Sequence, residues 1–146
     1  MLIYLDMCCL KRPFDDQSQP RIRLESEAVL GLVAVESANC RFVRSPALLL
    51  ENSHNPVKER AARVNEWLTA GPALMPDLNL LQTRTADLIR LGFKNFDALH
   101  AASAEQARAD VLVSCDDRFL SAGVRHARIL KVRFVGILDL AKELLL

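Results

Sequence analysis

Short apolar runs alternate along the chain with longer stretches whose apolar residues recur at helical spacing. Leu2-Ile-Tyr-Leu5 fits a fully buried strand, and it ends at Asp6. The polar segment Lys11–Pro20, with prolines at 13 and 20, predicts a loop. From Arg21 to Asn39 the residues Ile22, Val29, Leu32, Val33 and Val35 recur at helical intervals, with Glu25, Glu27 and Glu36 between them, so a helix is expected. Arg41–Arg44 predicts a second strand. Ser45 then suits a helix N-cap with Pro46 at the first helical position. That helix carries Leu48 to Glu51 and weakens over Asn52–Asn55. Pro56 restarts a charged helix over 57–69, with Val57, Ala61, Val64 and Leu68 facing inward, and Gly71-Pro72 stops it. Further helices are expected over Asp77–Leu91, over Phe96–Arg108 with Asn95 as its cap, over 117–122 and over Ile137–Leu145. Val111–Ser114 and Lys131–Val135 complete the strands.

Strands separated by helices imply a mostly parallel sheet with helices on both faces. The expectation is one three-layer α/β domain over residues 1–146, with four to five strands. No repeat, low-complexity segment or linker divides the chain. Its length suffices for a sizeable core. The composition, 51% hydrophobic and 25% charged, is that of a globular protein and not a disordered one.

A net charge of +1 gives no global attraction to nucleic acid, so any such binding needs locally gathered basic residues. Asp6 interrupts the apolar N-terminus before a secretory signal develops, and no run approaches the roughly 18 residues of a membrane span. A cytoplasmic setting and no membrane partner are expected. The cysteines, Cys8, Cys9, Cys40 and Cys115, show no CxxC pair and read as buried reduced thiols, with a structural zinc site as the competing reading.

Ligands of open parallel sheets gather at the carboxyl ends of the strands. Asp6 follows the first strand, and Asp116 and Asp117 follow Val111–Ser114. Each of these acids taken alone also fits a turn or a helix cap. Glu51 lies on an apolar helix, where an inward carboxylate needs a partner or a metal, although it also fits an outward, solvated position. Asp97 sits in a first helical turn, where an acid meets the helix dipole favourably. His100 is three residues on and shares its face, as a packed or supporting residue more than a ligand.

The ordered segments Tyr4-Leu-Asp6, Ser45-Pro-Ala-Leu-Leu-Leu-Glu51, Phe96-Asp-Ala-Leu-His-Ala-Ala102 and Val113-Ser-Cys-Asp-Asp-Arg-Phe119 resemble the PIN domain. This nuclease fold occurs, among other places, in the toxin components of bacterial toxin–antitoxin pairs. The resemblance spans essentially the whole chain, and Asp97–Ala102 is its most specific piece. It implies a metal-dependent ribonuclease whose acids are Asp6, Glu51, Asp97 and Asp116, with Glu36 competing with Glu51 for its place. Ser114 matches a small hydroxyl residue of the family, while Cys8 and Cys9 depart from its usual small or hydroxyl residues. The family further implies a homodimer and, for its toxins, a small antitoxin partner.

Oxygen ligands suit Mg²⁺ or Mn²⁺. On that expectation Asp6, Asp97 and Asp116 are ligands, and Glu51 is a ligand or orients the attacking water. Asp117 is spare or lies outside the ligands. Lys11, Arg12 and Arg118 are candidate phosphate contacts, or solvated surface charges. Single-stranded RNA is the expected substrate, because its phosphates can be splayed into a narrow cleft. Two alternatives stay open. An Asp after the first strand also suits a haloacid-dehalogenase-type phosphatase, but the second Asp that such enzymes carry two positions later is Cys8 here. The fold could also serve as a catalytically silent RNA- or protein-binding module.

Overall fold

The computed structural model describes residues 1–146. Four strands, β1 (Leu2–Leu5), β2 (Arg41–Phe42), β3 (Val111–Ser114) and β4 (Arg133–Gly136), form one sheet in the order β2-β1-β3-β4. Every pairing is parallel, with Tyr4 beside Leu112 and Val113 beside Val135. Ile3, Tyr4, Leu5 and all of β3 are buried, so both faces of the central strands are covered. This is the expected three-layer α/β architecture.

Eight helices connect the strands: α1 (Met7–Lys11), α2 (Pro20–Ala34), α3 (Pro46–Ser53), α4 (Lys58–Thr69), α5 (Leu78–Arg90), α6 (Asn95–Gln106), α7 (Asp117–Arg125) and α8 (Ile137–Leu145). Three local expectations need correction. The segment after Asp6 is not simply a loop: α1 runs to Lys11, and a 3₁₀ turn covers Arg12–Phe14, where Pro13 is tolerated because an early helical position needs no N–H. The helix expected to reach Asn39 ends at Ala34. Beyond it Ser37 pairs with Cys40 in a tight turn leading into β2, and Glu36 forms a two-pronged ion pair with Arg44. Asn95 is the first residue of α6 and not its cap. The cap position falls to Lys94, which makes no side-chain bond there, so the acid in the first turn, Asp97, meets the helix dipole.

Ser45 caps α3 as expected, its hydroxyl accepting from Leu48 N at 3.2 Å, with Pro46 next. Small residues let α6 lie close against its neighbours, burying Ala98, Ala101, Ala102, Ser103 and Ala104 along with His100. On α8, Ile137 and Leu140 enter the core while Leu138 and Leu144–Leu146 remain exposed. No helix is long and apolar enough to cross a membrane.

Gly123 on α7 is required by packing: a Cβ there would overlap the Phe134 ring of β4. Gly123→Ala should therefore lower stability by about 1–3 kcal/mol, the scale of an overpacked core. Urea unfolding checks this, and an unchanged midpoint would show that β4 yields freely.

The chain leaves β1 toward β2 on one side and leaves β3 toward β4 on the other. The carboxyl ends of β1 and β3 therefore flank the point where the winding reverses, the place where open parallel sheets form a crevice. Asp6 and Asp116 stand at those two ends.

Candidate active site

Asp6 and Asp116 both cap helices, which bears out the local reading of these two residues. Asp6 accepts from Met7 N at 2.8 Å through Oδ1, which starts α1. Its Oδ2 accepts from the Ser114 hydroxyl at 2.9 Å and from the Cys8 thiol at 3.1 Å. The carboxyl is 5% exposed, and burial is the main reason its pKa lies well above the usual range. Asp116 Oδ1 accepts from Arg118 N at 2.9 Å and Phe119 N at 3.4 Å, opening α7. Its own N–H donates to Ser114 Oγ at 3.0 Å. Ser114 thus joins the two strand ends, the place expected of that hydroxyl.

Glu51 turns inward and not to solvent. Its Oε1 lies 2.8 Å from His100 Nε2, and the same nitrogen is 4.0 Å from Asp6 Oδ1. Ligand atoms of Asp6, Glu51 and His100 all fall within 4.8 Å of one another. Glu36, the competitor of Glu51, is held by Arg44 instead. Arg44 also donates to Trp67 O at 2.9 Å and stacks over the Trp67 ring, so the pair is structural.

His100 is therefore closer to the acids than sequence spacing suggested. It is fully buried, and its Nδ1 lies 2.6 Å from the Tyr4 hydroxyl, which lies 2.8 Å from Ser45 Oγ. Burial holds the Tyr4 phenol far above its ordinary pKa, so it stays a donor. With Tyr4 donating to Nδ1, the Nε2–H donates to Glu51, and a chain of hydrogen bonds runs from the cap of α3 to the carboxylate. Burial opposes a charge on His100, but Glu51, Asp6 and Asp97 outweigh it and raise its pKa above the usual value. Sequence reading did not single out Tyr4. The available signal was a lone tyrosine in an apolar strand, since a buried phenol needs a partner. Tyr4→Phe would leave His100 Nδ1 without its donor and should destabilise the fold by about 1–3 kcal/mol in chemical unfolding. An unchanged stability would show that Tyr4 does not support His100.

Asp97 is half-buried at the start of α6. Its pKa is pushed up to about 6, first by desolvation and then by Asp116, with Glu51 adding and His100 and Lys94 opposing. Asp97 and Asp116 therefore share the electrostatics of the rim but stand outside the tight Asp6–Glu51–His100 group. A shallow cleft of about 380 Å³ opens beside them, lined by Lys94, Asp97, Arg118, Ser121 and Arg125 among others. The sequence pointed to Arg118 but not to Lys94, which precedes α6, or to Arg125, two turns further along α7.

Of the remaining expected contacts, Asp117 and Arg12 are engaged elsewhere. Asp117 is held by Arg21 through bonds of 2.9 and 2.7 Å, which tie α7 to α2. Arg12 pairs with Asp15 at 3.2 Å and lies 3.6 Å from Glu25, so it is not a free phosphate contact. Lys11 is half-buried in the last turn of α1 and forms no ion pair. All four cysteines are free thiols, Cys9 and Cys115 buried and Cys8 and Cys40 half-buried.

These donors fit a hard divalent cation. Carboxylates predominate, and Asp97, raised first by burial and then by the charge of Asp116, is a group whose ionised form a cation favours. His100 donates its Nε2–H to Glu51, which leaves the imidazole outside an all-oxygen set. No family model matches the chain, and neither a curated protein nor a solved structure matches it.

Proposed function

We propose that this chain is a PIN-like, metal-dependent endoribonuclease that cleaves single-stranded RNA at the rim between β1 and β3. The supporting observation is that Asp6 and Glu51, 45 positions apart in sequence, meet through His100 at the carboxyl edge of a parallel sheet. A buried acidic group of this kind is expensive as structure and useful for chemistry.

A bound Mg²⁺ or Mn²⁺ would acidify a water and neutralise charge developing on the phosphate. Asp6, Asp97 and Asp116 would hold the cation, with Glu51 able to join them. Ser114 and Cys8 keep the Asp6 carboxylate oriented. His100 fixes Glu51, whose free oxygen then orients the attacking water and accepts its proton. The chain Ser45–Tyr4–His100 holds that carboxylate in one orientation without moving a backbone atom. Lys94, Arg118 and Arg125 give the near-neutral protein the local positive charge that a phosphate chain requires. The neighbouring acids favour a strand whose phosphates can be splayed, hence single-stranded RNA.

The purified chain is expected to cut a single-stranded RNA in Mg²⁺ or Mn²⁺ and to stop in excess chelator. Intact RNA together with no calorimetric Mn²⁺ binding would overturn the nuclease reading and leave a silent binding module. A toxin role with a small inhibitory protein partner is part of the same proposal, and is tested by expressing the chain with and without the neighbouring reading frame.

A further inference from the structure

Beside the carboxylates lies a cluster of different chemistry. The sulfurs of Cys8, Cys9 and Cys115 all fall within 4.8 Å of one another. Cys9 Sγ is 3.5 Å from Cys115 Sγ, and Cys115 N donates to Cys8 Sγ at 3.2 Å. The parallel pairing of β1 with β3 creates the cluster, because the first turn of α1 and the residue after β3 leave the sheet side by side. Cys40 is not part of it.

We propose that Cys8, Cys9 and Cys115 form a site for one soft divalent cation of the zinc class, adjoining the oxygen ligands around Asp6, where the ion takes the place of the Cys8 thiol proton that Asp6 Oδ2 accepts at 3.1 Å. The geometry is nearly that of a bound site. Zinc–sulfur bonds of about 2.3 Å place tetrahedral sulfurs about 3.8 Å apart, and the Cys9–Cys115 separation is already 3.5 Å. A disulfide would instead need those sulfurs to close to about 2.05 Å. Thiolates select zinc and its heavier relatives over Mg²⁺ and Mn²⁺, so the two neighbouring sites would not compete for the same ion.

Charge supports a divalent ion. Three thiolates carry three negative charges, and one divalent cation leaves a single negative charge among them. Cys9 and Cys115 are buried while Cys8 is half-buried, so the ion enters at Cys8 and keeps its fourth position toward solvent. On binding, three S–H bonds break, three metal–sulfur bonds form and three protons pass to solvent, with no change of oxidation state.

The test titrates the reduced full chain with Cd²⁺ in excess Mg²⁺ and follows thiolate-to-cadmium charge transfer in the ultraviolet. One Cd²⁺ per chain with a three-thiolate band is expected, unchanged in Cys40→Ser. Cys9→Ser and Cys115→Ser should weaken binding by more than about 100-fold, since even an outer partner of a metal site is worth roughly 10–100-fold. Serine at a packed position tests folding as well as ligation, so a second measurement uses the unsubstituted chain. In chelator both accessible thiols, Cys8 and Cys40, should be alkylated, and Zn²⁺ should protect Cys8 alone. No charge-transfer band in the unsubstituted chain, or equal alkylation of Cys8 with and without Zn²⁺, overturns the site.

Discussion

Asp97→Asn is expected to abolish metal-dependent RNA cleavage, lowering the rate by on the order of 10³-fold or more, the scale of one electrostatic group at a reacting phosphate. The substitution keeps the shape of the side chain and removes its charge. It touches no hydrogen bond that the fold depends on, because Asp97 is half-buried and α6 is anchored by Ala98, Ala101 and Ala102. Circular dichroism and unfolding midpoints should therefore match the unsubstituted chain or show slight stabilisation. Single-turnover cleavage of a labelled RNA at saturating Mn²⁺ is the measurement. A variant that cuts as fast as the parent would show that the rim acids do not act on the phosphate. A variant that is inactive but unfolded would be replaced by Asp116→Asn, which is judged by the same rate.

The second large effect is a pH dependence that a divalent cation reverses. In the folded chain Asp97 titrates at about 6, against 3.8 for an ordinary Asp, mainly because burial and Asp116 disfavour its charge. Between those values the folded state binds more protons than the unfolded one, so stability falls as pH rises from about 4 to about 6. Asp6, buried more deeply and shifted in the same direction, steepens the loss. The full Asp97 shift would correspond to about 3 kcal/mol, and its partial exposure reduces this to about 1–2 kcal/mol. Other acids, such as Asp117 and Glu36, are lowered by arginine partners and act in the opposite sense. The clean quantity is therefore the stability difference between the parent and Asp97→Asn, by urea unfolding in chelator at pH 4.5 and 7.5. That difference should grow with pH in favour of the variant, and saturating Mn²⁺ should reverse its sign. A difference that is flat with pH would mean that neither burial nor Asp116 holds Asp97 above the usual carboxylate range.

Much of the architecture was legible before any coordinates. All four strands and every helix but α1 follow from short branched runs, amphipathic spacing and caps such as Ser45-Pro46, each a property of a few neighbouring residues. The placement of Asp6 and Asp116 at strand ends was legible for the same reason. Errors fell where a distant partner decides the outcome. α2 stops at Ala34 although its polar pattern continues, because the next residues turn toward β2 and Glu36 reaches Arg44. Arg12 and Asp117 resembled free site charges until their partners, Glu25 and Arg21, arrived from α2.

By itself, then, the order of residues determined the alternation of strands and helices, the parallel sheet, and which acids stand at its carboxyl edge. Periodicity and capping are local, and a strand that is buried on both faces leaves little choice. Only the tertiary structure decided that His100 joins Asp6 and Glu51, that Tyr4 supports it, and that Cys8 and Cys9 meet Cys115 across 107 and 106 positions. Those contacts depend on strand order and on the rotation of α3 and α6 about their axes. A turn of a fraction of one residue would point the same side chains at different neighbours.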